Sequence, residues 1–483
     1  MASANNYQRF AAGLLTIGAT ATLFWFGNGL NPIWPLVWFA PLPVLVFALR
    51  SSWRAAAVTA FFSVWLGSLN LWHYLRFLHA PPSAWMIIFT IAALVFTGAV
   101  LLFRGLLLRG AVWSALASFP AAWVVYEFVR NVATSGGTAA SFAYSQLQFL
   151  PFLQLASLTG PWGMTFVLLL FSAALAIGWH LRRTAPKKAL RVMVVGLGSI
   201  VLVLLFGAVR LALPSHGPHI RVGLIASDSP NNVHVAPPGA ETERLFRDYS
   251  AVAETLAREG ARVIVLPEKL GTIEGRRPTG NDAIFQSLAD KTGATIVVGL
   301  ADIAPPVQYN QARVYAPGTS TLLYDKHHML PPMESMFTPG TTMTLLSRPS
   351  GIWGVAICKD MDFSALSRDY GNAGVGLMLV PGWDFDIDRG WHGHIAIMRG
   401  VEGGFSIAHA ARNGYLTVTD NRGRILAQTR SDSAPFATLI AGAPVAHDST
   451  LYLLWGDWFA WLSLAILLRA LIQLFRLRAG PHQ

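Results

Sequence analysis

Cysteine is all but missing from this chain: Cys358 is the one example in 483 residues. A lone cysteine excludes an internal disulfide and leaves a single thiol to be explained. Charge is scarce too, at 13% of residues against about 25% in an ordinary soluble domain. Metal-binding patterns are also lacking. His327 and His328 are adjacent, so on a strand they would face opposite ways, and His392 and His394 fall in a helical pattern without the spacing of a zinc site. Gly400, Gly403 and Gly404 do not follow a strand as a phosphate loop would. No metal and no cofactor is expected.

Apolar residues are abundant instead, at 53%, with a mean hydropathy of +0.45. Runs of roughly 20 apolar residues can span a bilayer. Seven candidates precede residue 213: Phe10–Gly27, Ile33–Leu49, Ala55–Leu75, Ala84–Phe103, Ala111–Val129, Gly160–Leu181 and Leu190–Leu213. An eighth covers Leu451–Phe475, and the middle of the chain has none. The first run carries one basic residue ahead of it and lacks an obvious cleavage site, so it is read as a retained span.

Lysine and arginine fix the expected orientation, because short loops rich in them stay cytoplasmic. From a cytoplasmic N-terminus, the inner loops receive Arg50 and Arg54, then Arg104 and Arg109, then Arg182, Arg183, Lys187, Lys188 and Arg191, and the tail adds Arg476 and Arg478. The outer loops carry chiefly Arg76 and Arg130. Much of the net charge of +11 is thereby assigned to loops facing anionic lipid headgroups, which makes nucleic acid an unneeded partner. Three parts are expected: a seven-helix transmembrane domain over 1–213, an outward-facing domain over 214–447, and a closing helix with a cytoplasmic tail over 448–483.

In the middle part, strand-like runs (Ile220–Ala226, Ala261–Leu266, Ala294–Leu300, Ala312–Tyr324, Gly354–Ile357, Gly376–Val380, Phe405–Val418) alternate with helical ones (Glu241–Glu259, Asp282–Lys291, His392–Gly403). That is the pattern of an α/β domain. Three reactive residues stand at the ends of strand-like runs: Glu268 after Val-Ile-Val-Leu-Pro, Lys326 after Leu-Leu-Tyr-Asp, and Cys358 after Gly-Val-Ala-Ile. Singly, each has an ordinary reading, the cysteine as a small buried hydrophobe and the other two as solvated surface charges.

Their order and context carry more. Leu-Pro-Glu268, Tyr-Asp-Lys326-His-His and Ile-Cys358-Lys-Asp360 resemble the Glu, Lys and Cys segments of the nitrilase or carbon-nitrogen hydrolase superfamily. So do Pro-Pro-Met-Glu334, eight residues after the lysine, and Met398-Arg-Gly-Val-Glu402. The segment Phe149-Leu-Pro-Phe-Leu-Gln-Leu-Ala-Ser-Leu-Thr-Gly-Pro-Trp-Gly-Met-Thr-Phe166 is similar to the stretch before the sixth span of apolipoprotein N-acyltransferases, as is the layout of spans around an outer domain. The resemblance covers nearly the whole chain. It implies an α-helical membrane bundle plus an α/β nitrilase-like domain, an αββα sandwich, in a bacterial inner membrane with the catalytic domain on the periplasmic side.

The chemistry implied is a Glu268–Lys326–Cys358 triad. Glu268 is the general base, in a buried setting that favours proton uptake, and Lys326 supports the oxyanion with a backbone N–H just after Cys358. The resemblance further implies a phospholipid acyl donor, a thioester on Cys358, and the amine of a diacylglyceryl-cysteine lipoprotein as acceptor, the protein acting as a monomer among membrane lipids. Glu334 is expected to hold Lys326 or assist proton transfer, the alternative being a plain surface carboxylate. Trp383 either lines the acyl pocket or packs in the core.

The chain departs from its relatives' pattern in places. Lys359 and Asp360 replace an aromatic residue and Glu after the nucleophile; Lys359 is either a cation that lowers the thiol pKa or a sign of a different acceptor. Pro332-Met333 replaces Phe-Gly before Glu334, and Ala226-Ser-Asp-Ser-Pro-Asn-Asn232 lacks the usual Gln. These changes leave open a membrane-tethered amidase, transfer to another amphiphile, or an inactive lipid-binding relative.

Overall fold

The structure is a computed structural model that describes residues 2–214, 217–229, 235–275 and 282–479, so Pro230, Asn231 and Asn232 lie outside the described residues. The chain forms two compact units. The first comprises Met1–Thr134, Thr138–Ala212 and Trp455–Gln483; the second comprises Leu213–Leu454 with Ser135–Gly137. The C-terminal helix, expected as a part of its own, thus belongs with the N-terminal helices. Trp162 Nε1 donates to Asp457 Oδ1 at 2.8 Å, and Trp458 Nε1 to the Leu158 carbonyl at 2.9 Å.

Among the described residues, seven helices are long and apolar enough to cross a membrane: Tyr7–Gly27, Trp53–Phe77, Pro82–Leu107, Val112–Ala133, Ala156–Leu181, Pro186–Ala212 and Trp458–Leu477. They turn Leu15, Ile87, Leu94, Leu202 and Leu205 outward, which only a lipid environment tolerates over so wide a surface. This is a multi-pass membrane protein. The expected span Ile33–Leu49 is not one helix. Pro41 falls between Leu36–Phe39 and Leu42–Ala48, where it lacks an N–H for the helical ladder and crowds the preceding turn, while Pro35 and Pro43 sit at helix starts. Glu127 is a buried carboxylate in this unit. It accepts from Trp123 Nε1, Ser141 Oγ, Thr165 Oγ1 and the Phe142 N–H, so its full complement of donors offsets its desolvation.

The second unit holds thirteen strands among the described residues: β1 His219–Ala226, β2 Val263–Val265, β3 Thr272–Ile273, β4 Thr295–Asp302, β5 Tyr309–Tyr315, β6 Leu322–Asp325, β7 Thr344–Arg348, β8 Gly351–Val355, β9 Val375–Trp383, β10 Ser406–Arg412, β11 Tyr415–Thr419, β12 Ile425–Arg430 and β13 Ala437–Pro444. They make two sheets. One runs β13-β1-β2-β4-β5-β6 with β3 paired to β4, and the other runs β12-β11-β10-β9-β8-β7. Val222, Leu224, Val263, Val265 and Val297 pack between the sheets with Leu377, Leu379, Ile407 and Val418. The alternate residues Ile225, Ile264, Ile296 and Val298 point to the other face, onto helices Ala240–Arg258 and Ala283–Thr292. Both faces of these strands are covered, which is why they read as continuous apolar runs. Helices Ser364–Asn372 and Trp391–Gly403 pack with β9 and β10 to complete an αββα sandwich.

Two expected strands are hairpins instead. Ala312–Tyr324 turns at Pro317-Gly318 between β5 and β6, and Phe405–Val418 turns at Asn413-Gly414 between β10 and β11. Asn413 takes φ +52, a left-handed conformation suited to asparagine in tight turns. Strands β7, β12 and β13 also escape a reading based on apolar runs, since each exposes part of its length.

Candidate functional site

Glu268 follows β2 through Leu266 and Pro267. The Leu266 N–H donates to the Val297 carbonyl, and the Glu268 N–H to the Gly382 carbonyl of the other sheet. Lys326 follows β6 directly, its N–H donating to Asn310 O at 2.8 Å and its carbonyl accepting from Gly340 N at 2.8 Å. Cys358 opens a short 3-10 turn, Cys358–Asp362, three residues beyond β8, and stands at φ +43. A residue with a Cβ pays about 1–3 kcal/mol for such a conformation, and such strain is concentrated at functional sites.

These segments converge. The Lys326 ammonium lies 2.9 Å from Glu268 Oε1 and 2.8 Å from Glu334 Oε2. Asn310 Nδ2 donates to both carboxylates. The Cys358 thiol donates to the Trp383 carbonyl at 3.6 Å. Glu268, Lys326, Glu334 and Cys358 are 1%, 2%, 2% and 5% exposed, so Glu334 is no surface carboxylate. All four line one cavity of about 330 Å³ together with Lys269, Lys359, Trp383 and His392. Apolar Leu330, Met333, Met336 and Phe337 form another part of its wall.

Burial pushes the Cys358 thiol well above its ordinary range; Glu268 adds to the rise and Lys326 opposes it. The shift runs opposite to a lowering of the thiol by Lys359. Lys359 is engaged elsewhere, 3.5 Å from Asp362 Oδ2 and 5.5 Å from the centre of the Phe363 ring. Burial by itself would lower Lys326, but Glu268, Glu334 and Cys358 outweigh it and hold the ammonium well above its usual value. Burial likewise opposes ionisation of Glu334, yet Lys269 and Lys326 keep it far below the usual carboxylate range.

Asp360 has its role decided by packing. Its Oδ1 accepts from the N–H groups of His327 and His328 at 3.1 and 2.9 Å, and its Oδ2 from Ile357 N at 3.1 Å and Tyr324 Oη at 2.7 Å. It ties the segment after Lys326 to the turn that carries Cys358. His327 and His328 therefore lie just beyond β6, and His328 stacks on Phe363 at 3.6 Å.

Three residues at this site escape the sequence reading. Lys269, at φ +48, hydrogen-bonds Glu334 Oε1, lies 3.7 Å from Glu268 Oε1 and sits 4.9 Å from the centre of the Trp383 ring. Beside an acid in the chain, a lysine looks like a surface pair, and nothing local marks its conformation. Asn310 lies 42 residues from Glu268, in no recognisable motif. His392 sits between Asp362 Oδ1 at 3.2 Å and Asp388 Oδ2 at 3.7 Å. Burial works to lower it, but the carboxylates, Asp362 foremost, push it up to about 9.

Two family models match the chain: the apolipoprotein N-acyltransferase N-terminal domain over residues 12–175, and the carbon-nitrogen hydrolase domain over residues 235–441. Relatives named apolipoprotein N-acyltransferase include one from Geobacter metallireducens, 26% identical over 77% of this chain and 76% of its own. Another, from Nitrosomonas europaea, is 25% identical over 96% of this chain and 97% of its own. Among solved structures, an amidase of the nitrilase superfamily from Nesterenkonia AN1 is 21% identical, with a TM-score of 0.41, covering 50% of this chain and 95% of that one. With an apolar helical unit, a nitrilase-type sandwich and both domain models in sequence, the chain belongs to the apolipoprotein N-acyltransferase family of membrane-bound carbon-nitrogen hydrolases.

Proposed function

We propose that this protein transfers a fatty acyl chain from a phospholipid, through a thioester on Cys358, to the N-terminal amine of diacylglyceryl-cysteine lipoproteins. The observation that carries it is the meeting of a lone buried thiol with Glu268, Lys326 and Glu334 in one cavity, in a chain that also carries a unit of apolar helices. The names of its relatives support lipoprotein N-acylation as the overall reaction. The acceptor, the donor and the inner-membrane, periplasm-facing placement are part of the proposal.

In the first half-reaction Glu268 takes the Cys358 proton as sulfur attacks the ester carbonyl. The high thiol pKa makes proton removal and attack concerted in effect, since a free thiolate does not accumulate. The oxyanion gathers charge near the Lys326 ammonium and the N–H that follows Cys358, and collapse breaks the C–O bond. The leaving lysophospholipid oxygen recovers the proton from Glu268. In the second half the lipoprotein amine attacks the thioester, gives its proton to Glu268, and the C–S bond breaks to return the thiol as an amide forms. Glu334 stays ionised throughout and holds Lys326. Trp383 lends its carbonyl to the thiol and its ring to the cavity wall.

Purified protein incubated with phospholipid and a diacylated lipopeptide is expected to yield a product heavier by one acyl chain. Cys358→Ala abolishes both product and protein adduct, and Cys358→Ser retains at most a trace. Free fatty acid as the sole product would instead favour a membrane-tethered amidase or hydrolase acting on another amphiphile, the reading that Lys359 and Asp360 bring forward. No adduct on the wild-type protein would point to an inactive lipid-binding relative.

A further inference from the structure

We propose that Lys269 is a positioning residue that latches the Leu330–Phe337 segment at the cavity wall, by holding Glu334 from the end of β2. Glu334 organises the segment from within. Its Oε2 accepts from Leu330 N at 2.9 Å, its own N–H donates to Leu330 O at 2.9 Å, and its carbonyl accepts from Phe337 N at 3.1 Å. The side chains flanking it, Met333, Met336 and Phe337, face the cavity as apolar wall. Its outward ties go to three groups: Lys326, which begins the same stretch of chain, Asn310 on β5, and Lys269 next to Glu268.

The Lys269 tie is the one that bridges the end of β2 to that segment. Its surroundings suit this task. The ammonium is largely buried, lies among Glu268, Glu334 and the Trp383 ring, and shares Glu334 with Lys326, one oxygen each. The backbone at φ +48 is a conformation in which glycine or asparagine would be at ease, yet a lysine is kept there. An ion pair between two chain segments, with one partner half a step from water, is a bond that can break without unfolding either segment. Its release leaves the segment held through Lys326 and Asn310 alone, which loosens residues 333–337 enough to admit an acyl chain. This latch refines the acyl-transfer reading by naming what controls entry to the same cavity.

The single cysteine gives a direct test on the full-length protein in detergent. Cys358 is alkylated in parallel with a small reagent, iodoacetamide, and a bulky one, a fluorescein maleimide. The ratio of bulky to small rates, normalised to free cysteine, cancels the thiolate fraction and reads the opening of the cavity. In Lys269→Met the normalised ratio is expected to rise by roughly tenfold, with faster amide hydrogen exchange confined to Met333–Phe337. Lys269→Arg, which keeps a cation within reach of Glu334, is expected to stay near wild type. An unchanged ratio and unchanged exchange in Lys269→Met would overturn the latch, as would an equal rise in Lys269→Arg. Should Lys269→Met fail to fold, judged by lost exchange protection in β10, Lys269→Gln takes its place with the same expectations. Alkylation needs Cys358 only as a thiol, so a failed latch leaves the acyl-transfer reading standing, and absent acyl transfer leaves the latch result standing.

Discussion

His392 shows how one side chain can link the site to stability. It is an imidazole enclosed by Asp362 and Asp388, with Asp384 near enough to act on it, and its pKa is pushed up to about 9. A folded-state value above the unfolded 6.5 means that the folded protein holds the proton more tightly. The resulting stabilisation is complete below about pH 6.5 and is lost as pH rises through about 9, with a size of roughly 3 kcal/mol. The thermal midpoint in detergent is therefore expected to fall across that window, and His392→Gln to flatten the fall. An identical slope in wild type and variant would show that His392 does not carry it. Asp384 behaves in the same sense at lower pH. Burial, with help from Asp388, raises its carboxyl to about 7, so part of the stability present near pH 4 is lost as that group is forced to ionise. At this scale the sequence announces residue types but not their partners. Glu268, Lys326 and Cys358 stand out by their neighbours in the chain, whereas His392 lies in an unremarkable helical stretch and Lys269 beside an acid.

The elements that aim the site depend on two glycines pressed against backbone. A Cβ on Gly340 would come within 2.1 Å of the Asp325 carbonyl, one residue before Lys326. A Cβ on Gly299 of β4 would lie 2.4 Å from Pro267 O and 2.5 Å from Glu268 Cα. Backbone cannot step aside as a flexible side chain can, so Gly340→Ala and Gly299→Ala are each expected to destabilise by about 1–3 kcal/mol. If Glu268 and Lys326 act as proposed, displacing them by about 1 Å is expected to cost about a hundredfold in acyl transfer. Gly198→Ala, in the apolar helix Pro186–Ala212 with open space at the same position, is the control and should leave both unchanged or raise stability slightly. Equal effects at all three glycines would remove the argument from close approach. Turns explain the elements that a sequence reading merges. Asn413-Gly414 and Pro317-Gly318 each sit within one apolar stretch, and an apolar run by itself does not reveal a reversal of direction.

At the scale of the whole molecule, the lysine and arginine distribution predicts that the sandwich unit and the basic inner loops lie on opposite sides of the membrane. In a Cys358→Ala background, single cysteines at Lys291 and Arg183, both exposed, separate the two. A membrane-impermeant maleimide applied to intact spheroplasts is expected to label Lys291→Cys, and to label Arg183→Cys only after lysis. Labelling of Arg183→Cys from outside would reverse the orientation. The broken helix Leu36–Ala48 makes this measurement informative, because a count of apolar runs treats that segment as a full crossing.

Sequence by itself determined the features that period and composition encode: which stretches belong in lipid, that an α/β unit lies between them, and which acid, base and thiol stand at strand ends. Those signals are local, since burial on both faces writes a continuous apolar run and burial in lipid writes a longer one. Tertiary structure alone decided the ionic company of the site. Glu334 between two lysines, Asn310 across both carboxylates and Asp360 stitching two segments together are contacts between residues distant in the chain or turned by backbone conformation. The energy of a charge is set by what surrounds it at a few ångströms, and a linear sequence does not contain that distance.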